Sequence, residues 1–244
     1  MIDTIAERIR RIREDMAAAA AKSGRPVSAV RLMAVTKTVE EARIREAVAA
    51  GVDVLGENYV QEARQKIERL GTDVPWHGIG HLQTNKARHA VQCFALIHSV
   101  DRMSLAEEID RRAAAAGRVM PVLIEVNVAG EASKSGIPLS QALPLVRAVS
   151  ALKNISVRGL MTLPPWSDDP EASRPCFAAL RRLRDQIRAE QIERCVMEEL
   201  SMTEGEAYRY IKNLSLCKST SMRHVADLIL QQTKVDTRCR RKAQ

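Results

Sequence analysis

The stretch Arg31-Leu-Met-Ala-Val-Thr-Lys37-Thr38 joins a short apolar run to a lysine. An apolar run of this length with a β-branched residue is typical of a buried strand. Most lysines are solvated surface residues, and a strand-end lysine in solvent is the ordinary interpretation. A partly desolvated amine loses its proton more readily, and it can then attack an aldehyde to form a Schiff base. Lys37 is therefore the first candidate functional residue.

Strand-like runs alternate with alanine-rich helical segments beyond Lys37. This βα repetition predicts an α/β fold with a parallel sheet, which a closed (β/α) TIM-type barrel completes naturally. Because only 3% of the residues are aromatic, the core must consist mainly of Ala, Val, Leu, Ile and Met. The six predicted strands are Arg31 to Val35, Val54 to Gly56, Trp76 to Ile79, Leu96 to Val100, Val122 to Val128 and Ile155 to Met161.

Several short motifs follow or end these runs. Together with Lys37 they make residues 2–190 resemble the pyridoxal phosphate homeostasis protein family, whose single domain is similar to the N-terminal barrel of alanine racemase. Several motifs in the right order are more specific than any one of them. The motifs are Gly56-Glu-Asn-Tyr-Val-Gln-Glu62, Trp76-His-Gly-Ile-Gly-His-Leu-Gln-Thr-Asn-Lys86, Ser99-Val-Asp-Arg102, Val126-Asn-Val128 with Lys134-Ser-Gly-Ile137, and Arg158-Gly-Leu-Met161.

The resemblance implies that pyridoxal 5'-phosphate is held as a Schiff base on Lys37, with Asn58, His77, Met161 and Ser201 around it. Three of these residues also have structural interpretations: Asn58 as a helix N-cap, His77 as a hydrogen-bonded core histidine and Met161 as a packing residue. A racemase needs acid and base groups on opposite faces of its substrate. Residues 1–190 leave no room for a domain that brings the second group, so we expect a carrier without catalytic residues.

The sequence departs from this family after Glu199-Leu-Ser-Met202. Family members continue there into final strands and a loop that bind the cofactor phosphate. Gly205 is the last glycine of this chain, so a glycine-rich phosphate loop is missing. We therefore predict a barrel domain over residues 1–190 that is incomplete at its C-terminal end, followed by a helical segment over residues 191–244.

The terminal segment has helical signals. Thr203 and Glu206 form a capping-box pattern that predicts a helix through Lys212, and a second helix is predicted from Ser219–Ser221 to Gln232. Residues 190–232 resemble the ANTAR RNA-binding domain of transcription antiterminators. The resemblance implies structured RNA as a partner, contacted by Tyr208, Arg209, Lys212 and Arg223.

Charge is concentrated in the same segment. From Arg209 onward there are nine basic and two acidic residues, so this stretch carries seven of the chain's eight net positive charges. A basic patch can collect RNA phosphates, but a solvated helix bundle with a basic tail has the same composition. Three functions are compatible with the whole sequence: a pyridoxal phosphate carrier, an RNA-binding regulator whose barrel is a sensor or remnant, and an inactive truncated fusion.

Composition indicates the cellular compartment in which we expect the protein and the kinds of site it does not contain. Five cysteines form no C-x-x-C pair and are odd in number, which argues against a disulfide framework or a zinc site, and no metal is expected. The N-terminus lacks the apolar core of a signal peptide, and no apolar run approaches the roughly 20 residues of a membrane span. We therefore expect a cytoplasmic protein with no membrane partner, and we favour a monomer.

Overall fold

The computed structural model describes residues 3–131, 134–200 and 202–217, together with residues 225 and 228. The chain separates into two compact units, Met1–Cys176 and Phe177–Gln244. The first unit contains a parallel sheet with helices between its strands, and the second contains helices. No described helix has both the length and the apolar character that crossing a membrane requires.

Seven strands form the parallel sheet of the first unit. Five of them pair in chain order, and the fifth also pairs with the sixth and the seventh. The six strands predicted from the sequence are confirmed, with ends that differ by at most two residues. The very short β6 was not predicted. The strands are β1 (Met33–Val35), β2 (Val54–Glu57), β3 (Trp76–Gly78), β4 (Leu96–Val100), β5 (Met120–Asn127), β6 (Ile137–Pro138) and β7 (Ile155–Met161).

Helices connect the strands. Sequential parallel strands joined by right-handed crossovers place their helices on one face of the sheet, as in a barrel. The α-helices of the first unit are α1 (Ile5–Lys22), α2 (Glu41–Ala49), α3 (Val60–Leu70), α4 (Ala87–Cys93), α5 (Met103–Ala115) and α6 (Leu139–Ser150). Then follow α7 (Arg174–Leu200), which crosses residue 190 without a break, and α8 (Glu204–Cys217).

The core of the first unit lies between the sheet and its helices. Strand residues such as Leu55 and Ile97 are almost fully buried, as are Ile109 and Ala113 of α5. Few aromatic side chains take part, and Trp76 is the largest fully buried one. Small and branched side chains therefore fill this layer, as the composition predicted.

The sheet has two open edges in the described part of the chain. There, β1 pairs with β2 alone and β7 with β5 alone, so no described strand joins β7 to β1. Val35, which shares a face with Gly56 and His77, remains 49% exposed. The predicted (β/α) barrel arrangement is thus present through its six main strands, and its inner face is accessible beside β1.

The second unit has its own small apolar cluster. Thr203 donates its backbone N–H and its hydroxyl to the Glu206 carboxylate, so the Glu206 half of the predicted capping box is present, and α8 starts at Glu204. The N–H of Glu206 donates to the Thr203 carbonyl oxygen instead of to its hydroxyl. The helix continues to Cys217, five residues past the predicted end. Of the second predicted helix, residues 225 and 228 are helical and the rest lies outside the described residues. The buried residues are Ala207, Ile211 and Val225, with Met197, Met202 and Leu214 packed against them.

Candidate functional site

Lys37 lies in a turn directly after β1, at the carboxyl edge of the sheet. Its side chain is exposed, so the partial desolvation considered from the sequence is not found. The reason is the position of β1 at an open sheet edge, where the preceding Val35 is half exposed as well.

The neighbouring Thr38 has a left-handed backbone with φ of 59°, which is uncommon for a β-branched residue.

Hydrogen bonds fix the backbone on both sides of Lys37. Before it, the hydroxyl of Thr36 donates to Oε1 of Glu57 at 2.7 Å, and Nζ of Lys66 donates to the carbonyl oxygen of Thr36 at 2.5 Å. After it, the backbone N–H of Thr38 donates to Oε1 of Glu62 at 2.7 Å. The amine of Lys37 therefore extends from a turn whose flanking residues are tied to β2 and α3.

Glu57, Glu62 and Lys66 form an ion cluster on the helix side of the sheet, in which Glu57 and Lys66 are buried and Glu62 is partly exposed. Nζ of Lys66 lies 2.7 Å from a carboxylate oxygen of each glutamate. Burial alone would lower the pKa of Lys66, but its hydrogen bonds to the two carboxylates outweigh burial and raise that pKa. Burial would raise the pKa of Glu62, and the bonds from Lys66 and the Thr38 N–H lower it instead. Lys66 and Glu62 are therefore both charged at neutral pH.

Asn58 follows β2 at the same edge of the sheet and is half-buried. The N-cap of α3 is Tyr59, so Asn58 does not cap that helix. Its backbone is approached closely by Gly80: a Cβ on Gly80 would lie 2.5 Å from the Asn58 carbonyl oxygen. The glycine after β3 thus permits the chain to cross directly beside Asn58.

His77 lies on the inner face of β3, next to His98 of β4. Nδ1 of His77 is 3.0 Å from Nε2 of His98. Burial first, and then the charges of His98 and Arg31, lower the pKa of His77 to about 4. Burial lowers the pKa of His98 to about 4 as well. The two rings therefore form a neutral pair at neutral pH, which agrees with a hydrogen-bonded histidine, and sequence reasoning missed His98.

Glu125 is a second inner residue that sequence reasoning missed. It is 5% exposed on β5, and its Oε2 has no hydrogen-bond partner among the described residues. Burial, followed by repulsion from Asp101, raises its pKa to about 7. Met161 is its register partner on β7. An acidic residue within the apolar run Val122-Leu-Ile-Glu-Val126 was the available signal.

Comparisons with known proteins decide the family. The family model for the alanine racemase N-terminal domain matches residues 4–214. The pyridoxal phosphate homeostasis protein of Aquifex aeolicus is 43% identical over 185 residues, which is 75% of this chain and 81% of that protein. The corresponding protein of Pseudomonas aeruginosa is 41% identical over 184 residues, covering 75% and 80%. This chain belongs to the pyridoxal phosphate homeostasis protein family.

Solved structures agree with this assignment. PipY of Synechococcus elongatus, determined with pyridoxal phosphate bound, is 36% identical with a TM-score of 0.64, covering 77% of this chain and 83% of PipY. An unknown protein from Bifidobacterium adolescentis is 38% identical with a TM-score of 0.69, covering 78% and 83%. Alanine racemase of Streptomyces coelicolor, at 23% identity, a TM-score of 0.54 and coverage of 76% and 49%, shares the fold.

The structure brings together part of the residue set predicted for this pyridoxal phosphate homeostasis family member. Parallel pairing of β1, β2 and β3 places Lys37, Asn58 and His77 on neighbouring strands or just after them. Met161 ends β7 at the same edge of the sheet, beyond β4 and β5. Ser201 lies outside the described residues. Contacts of these side chains with a cofactor remain predictions.

Three of the four residues predicted to contact RNA are on α8. Tyr208, Arg209 and Lys212 are exposed there, on the surface away from the buried Ala207 and Ile211. Arg223 lies outside the described residues. Among the described side chains, no group of three or more His, Cys, Asp or Glu residues is arranged to hold a metal ion.

We predict that Gly80→Ala destabilises the protein. The new Cβ would meet the carbonyl oxygen and Cα of Asn58 at 2.5 and 2.7 Å, and backbone atoms cannot simply rotate away. We expect a loss of about 2 kcal/mol in the free energy of unfolding, measured by urea denaturation. Gly205→Ala is the control, because no atom of the described residues lies within 4 Å of its added Cβ. Wild-type stability of Gly80→Ala would contradict the close approach.

A second prediction concerns the pH dependence of stability through Glu125. Its folded-state pKa of about 7 lies above the ordinary 4.5, so the folded state binds the extra proton between these values. The contribution of this proton binding to the free energy of unfolding is complete below pH 4.5 and is lost as pH rises through 7. Glu125→Gln cannot ionise, so its stability relative to wild type should rise by on the order of 3 kcal/mol between pH 4.5 and 8.

Urea denaturation at several pH values measures this difference. Glu107→Gln, at an exposed position of α5, is the control and should keep a constant difference from wild type. A constant difference for Glu125→Gln as well would show that the buried carboxyl group titrates normally.

Proposed function

We propose that this protein binds pyridoxal 5'-phosphate as a Schiff base on Lys37 and takes part in intracellular pyridoxal phosphate homeostasis. The observation that carries the proposal is the position of Lys37, at the carboxyl end of β1 in a chain that is 43% identical to a pyridoxal phosphate homeostasis protein. Functional groups of such barrels lie at this end of the strands. The bound cofactor in PipY, at 36% identity, supports the same cofactor here.

The described residues fit the aldehyde and ring of this cofactor. Lys37 offers an exposed amine that makes no ion pair with any described residue, and the inner face beside it is open at Val35. Asn58 adds an amide, which forms no side-chain hydrogen bond within the described part and is free to bind a ligand. His77 contributes a neutral imidazole. When bound, the cofactor supplies an aldehyde that condenses with a primary amine.

The phosphate end of the cofactor has fewer candidate partners. Where the family continues into its closing strands, residues Glu204–Cys217 of this chain form α8. Ser201, the candidate from the sequence, lies outside the described residues. Each charge-assisted hydrogen bond to a phosphate contributes roughly 1.5 to 3 kcal/mol, so we expect weaker binding than in a member with the usual ending.

We propose a carrier in preference to a racemase. Racemisation needs proton donors and acceptors on both faces of the substrate. The described residues contain a single sheet, and Lys37 lies at its carboxyl edge. Lys37 is accordingly assigned to holding the cofactor, with Asn58, His77 and Met161 as proposed lining residues.

RNA binding through an ANTAR-like segment is a second candidate function. The observation that favours it is the exposure of Tyr208, Arg209 and Lys212 on one helix whose buried side carries Ala207 and Ile211. Tyr208 and Lys212 are four residues apart, so they share one helix face. Tyrosine stacks on unpaired bases and basic side chains bind phosphates. An inactive fusion product is the outcome if neither ligand binds.

We predict that pyridoxal phosphate attaches to Lys37. The purified protein mixed with the cofactor should become yellow, and borohydride reduction followed by peptide mapping should identify Lys37. Lys37→Ala should lose the visible absorbance, whereas the control Lys86→Ala should keep it. Mapping of the cofactor to Lys86 or Lys134 would show that the site assignment is wrong.

For the RNA candidate, we predict that the full-length protein binds a hairpin RNA more tightly than a duplex of equal charge. Tyr208→Ala should reduce this preference, because it removes the stacking side chain, and Lys212→Gln should weaken binding to both RNAs and reduce its salt dependence. Gel-shift titrations at several salt concentrations measure both effects. Equal binding to the two RNAs would show that basic residues attract RNA nonspecifically and would contradict the prediction.

A further inference from the structure

The ion cluster of Glu57, Glu62 and Lys66 contacts the turn of Lys37 from the helix side of the sheet. It makes three hydrogen bonds to this turn: two to Thr36, at its hydroxyl and its carbonyl oxygen, and one to the N–H of Thr38. Lys37 itself takes no part in the cluster. The cluster therefore holds the backbone immediately before and after the residue that carries the amine.

The turn needs such support for two reasons. Thr38 adopts a left-handed backbone, a conformation that non-glycine residues keep only when the surrounding structure fixes it. The turn also lies at the open edge of the sheet, where Val35 and Lys37 are exposed and no described strand supports β1 on its outer side. The restraint consequently comes from one side, through β2 and α3.

The ion pairs also engage one oxygen of each carboxylate. Oε1 of Glu62 accepts the N–H of the peptide between Lys37 and Thr38. Lys66 binds Glu62 and Glu57 at 2.7 Å each, from a position with a side chain only 9% exposed. Lys66 thus links both glutamates to each other and to the Thr36 carbonyl oxygen, while the exposed Lys37 lies outside these ion pairs.

We propose that Glu57, Glu62 and Lys66 are positioning residues that direct the amine of Lys37 towards the aldehyde of pyridoxal phosphate. The inference rests on the proposed function. In the reaction, the unprotonated Nζ of Lys37 forms a bond to the aldehyde carbon, and the aldehyde oxygen leaves as water together with the two protons of the nitrogen. The cluster touches neither reacting atom and acts through the backbone of the turn.

Two substitutions of Glu62 provide the main test. Its side chain is 25% exposed, so a substitution there does not bury an unpaired charge as a change of Lys66 would. Glu62→Ala removes the acceptor of the Thr38 N–H, whereas Glu62→Gln keeps an amide oxygen in its place. We expect the attachment rate of pyridoxal phosphate to fall about tenfold in Glu62→Ala and to recover largely in Glu62→Gln.

Amide hydrogen exchange of Thr38 gives an independent readout without cofactor. Exchange should be about tenfold faster in Glu62→Ala, because the N–H has lost its partner, and near wild type in Glu62→Gln. Glu41→Ala is the matched control: Glu41 pairs with Arg69 at 2.7 Å and joins α2 to α3 without touching the turn. It should change neither the attachment rate nor the exchange of Thr38.

Lys66 is tested in a paired variant. Lys66→Met alone would leave the carboxylate of Glu57 buried and unpaired, which unfolds many proteins. Glu57→Gln with Lys66→Met removes both charges and the bond to the Thr36 carbonyl oxygen while keeping an acceptor for the Thr36 hydroxyl. We expect slower attachment, by about tenfold, at a thermal midpoint close to that of wild type.

The result for the wild-type protein distinguishes failure of the positioning role from failure of the proposed function. If wild type attaches the cofactor and Glu62→Ala and the paired variant attach it at the same rate, the positioning role is overturned and the proposed function stands. If wild type attaches no cofactor, the proposed function and this inference both fail. Slower attachment in Glu62→Ala, restored in Glu62→Gln and absent from Glu41→Ala, supports the inference.

Discussion

Parallel pairing of β1, β2 and β3 is the constraint on which the candidate site depends. Its register sets Val35, Gly56 and His77 side by side. The residues that follow these strands then meet at one edge, although Lys37 and Asn58 are 21 positions apart in the chain. Since successive strand residues point to opposite faces, the same pairing also turns Glu57 towards α3. One strand thus serves both the inner face and the ion cluster.

The order of strands and helices could be predicted from the sequence because apolar runs and alanine-rich segments alternate clearly. The two-residue β6 gave no such signal, since it is shorter than any periodic pattern. The start of α8 was predictable from Thr203 and Glu206, because the Glu206 carboxylate accepts the free backbone N–H of Thr203. Its end was not, because Leu214-Ser-Leu216 continues the helix without a stop signal.

The candidate site was less predictable than the fold. Motifs indicated Lys37, Asn58 and His77, but the exposure of Lys37 follows from its place at a sheet edge, which no local pattern reports. His98 and Glu125 were missed because their burial depends on the register between strands. Lys66 was missed for the same reason. Its position on a helix is typical of a surface residue, and its burial follows from the packing of α3 against β2, where it meets Glu57.

The chain-order pairing of the sheet affects how the protein can be made. After β1, each main strand of the described sheet pairs with the main strand synthesised just before it, so its partner has already been made. Such sequential pairing keeps the loops that must close short, and domains assemble during synthesis at about 5–20 residues per second. The turn that carries Lys37 can therefore be anchored to β2 and α3 once about a quarter of the chain has emerged.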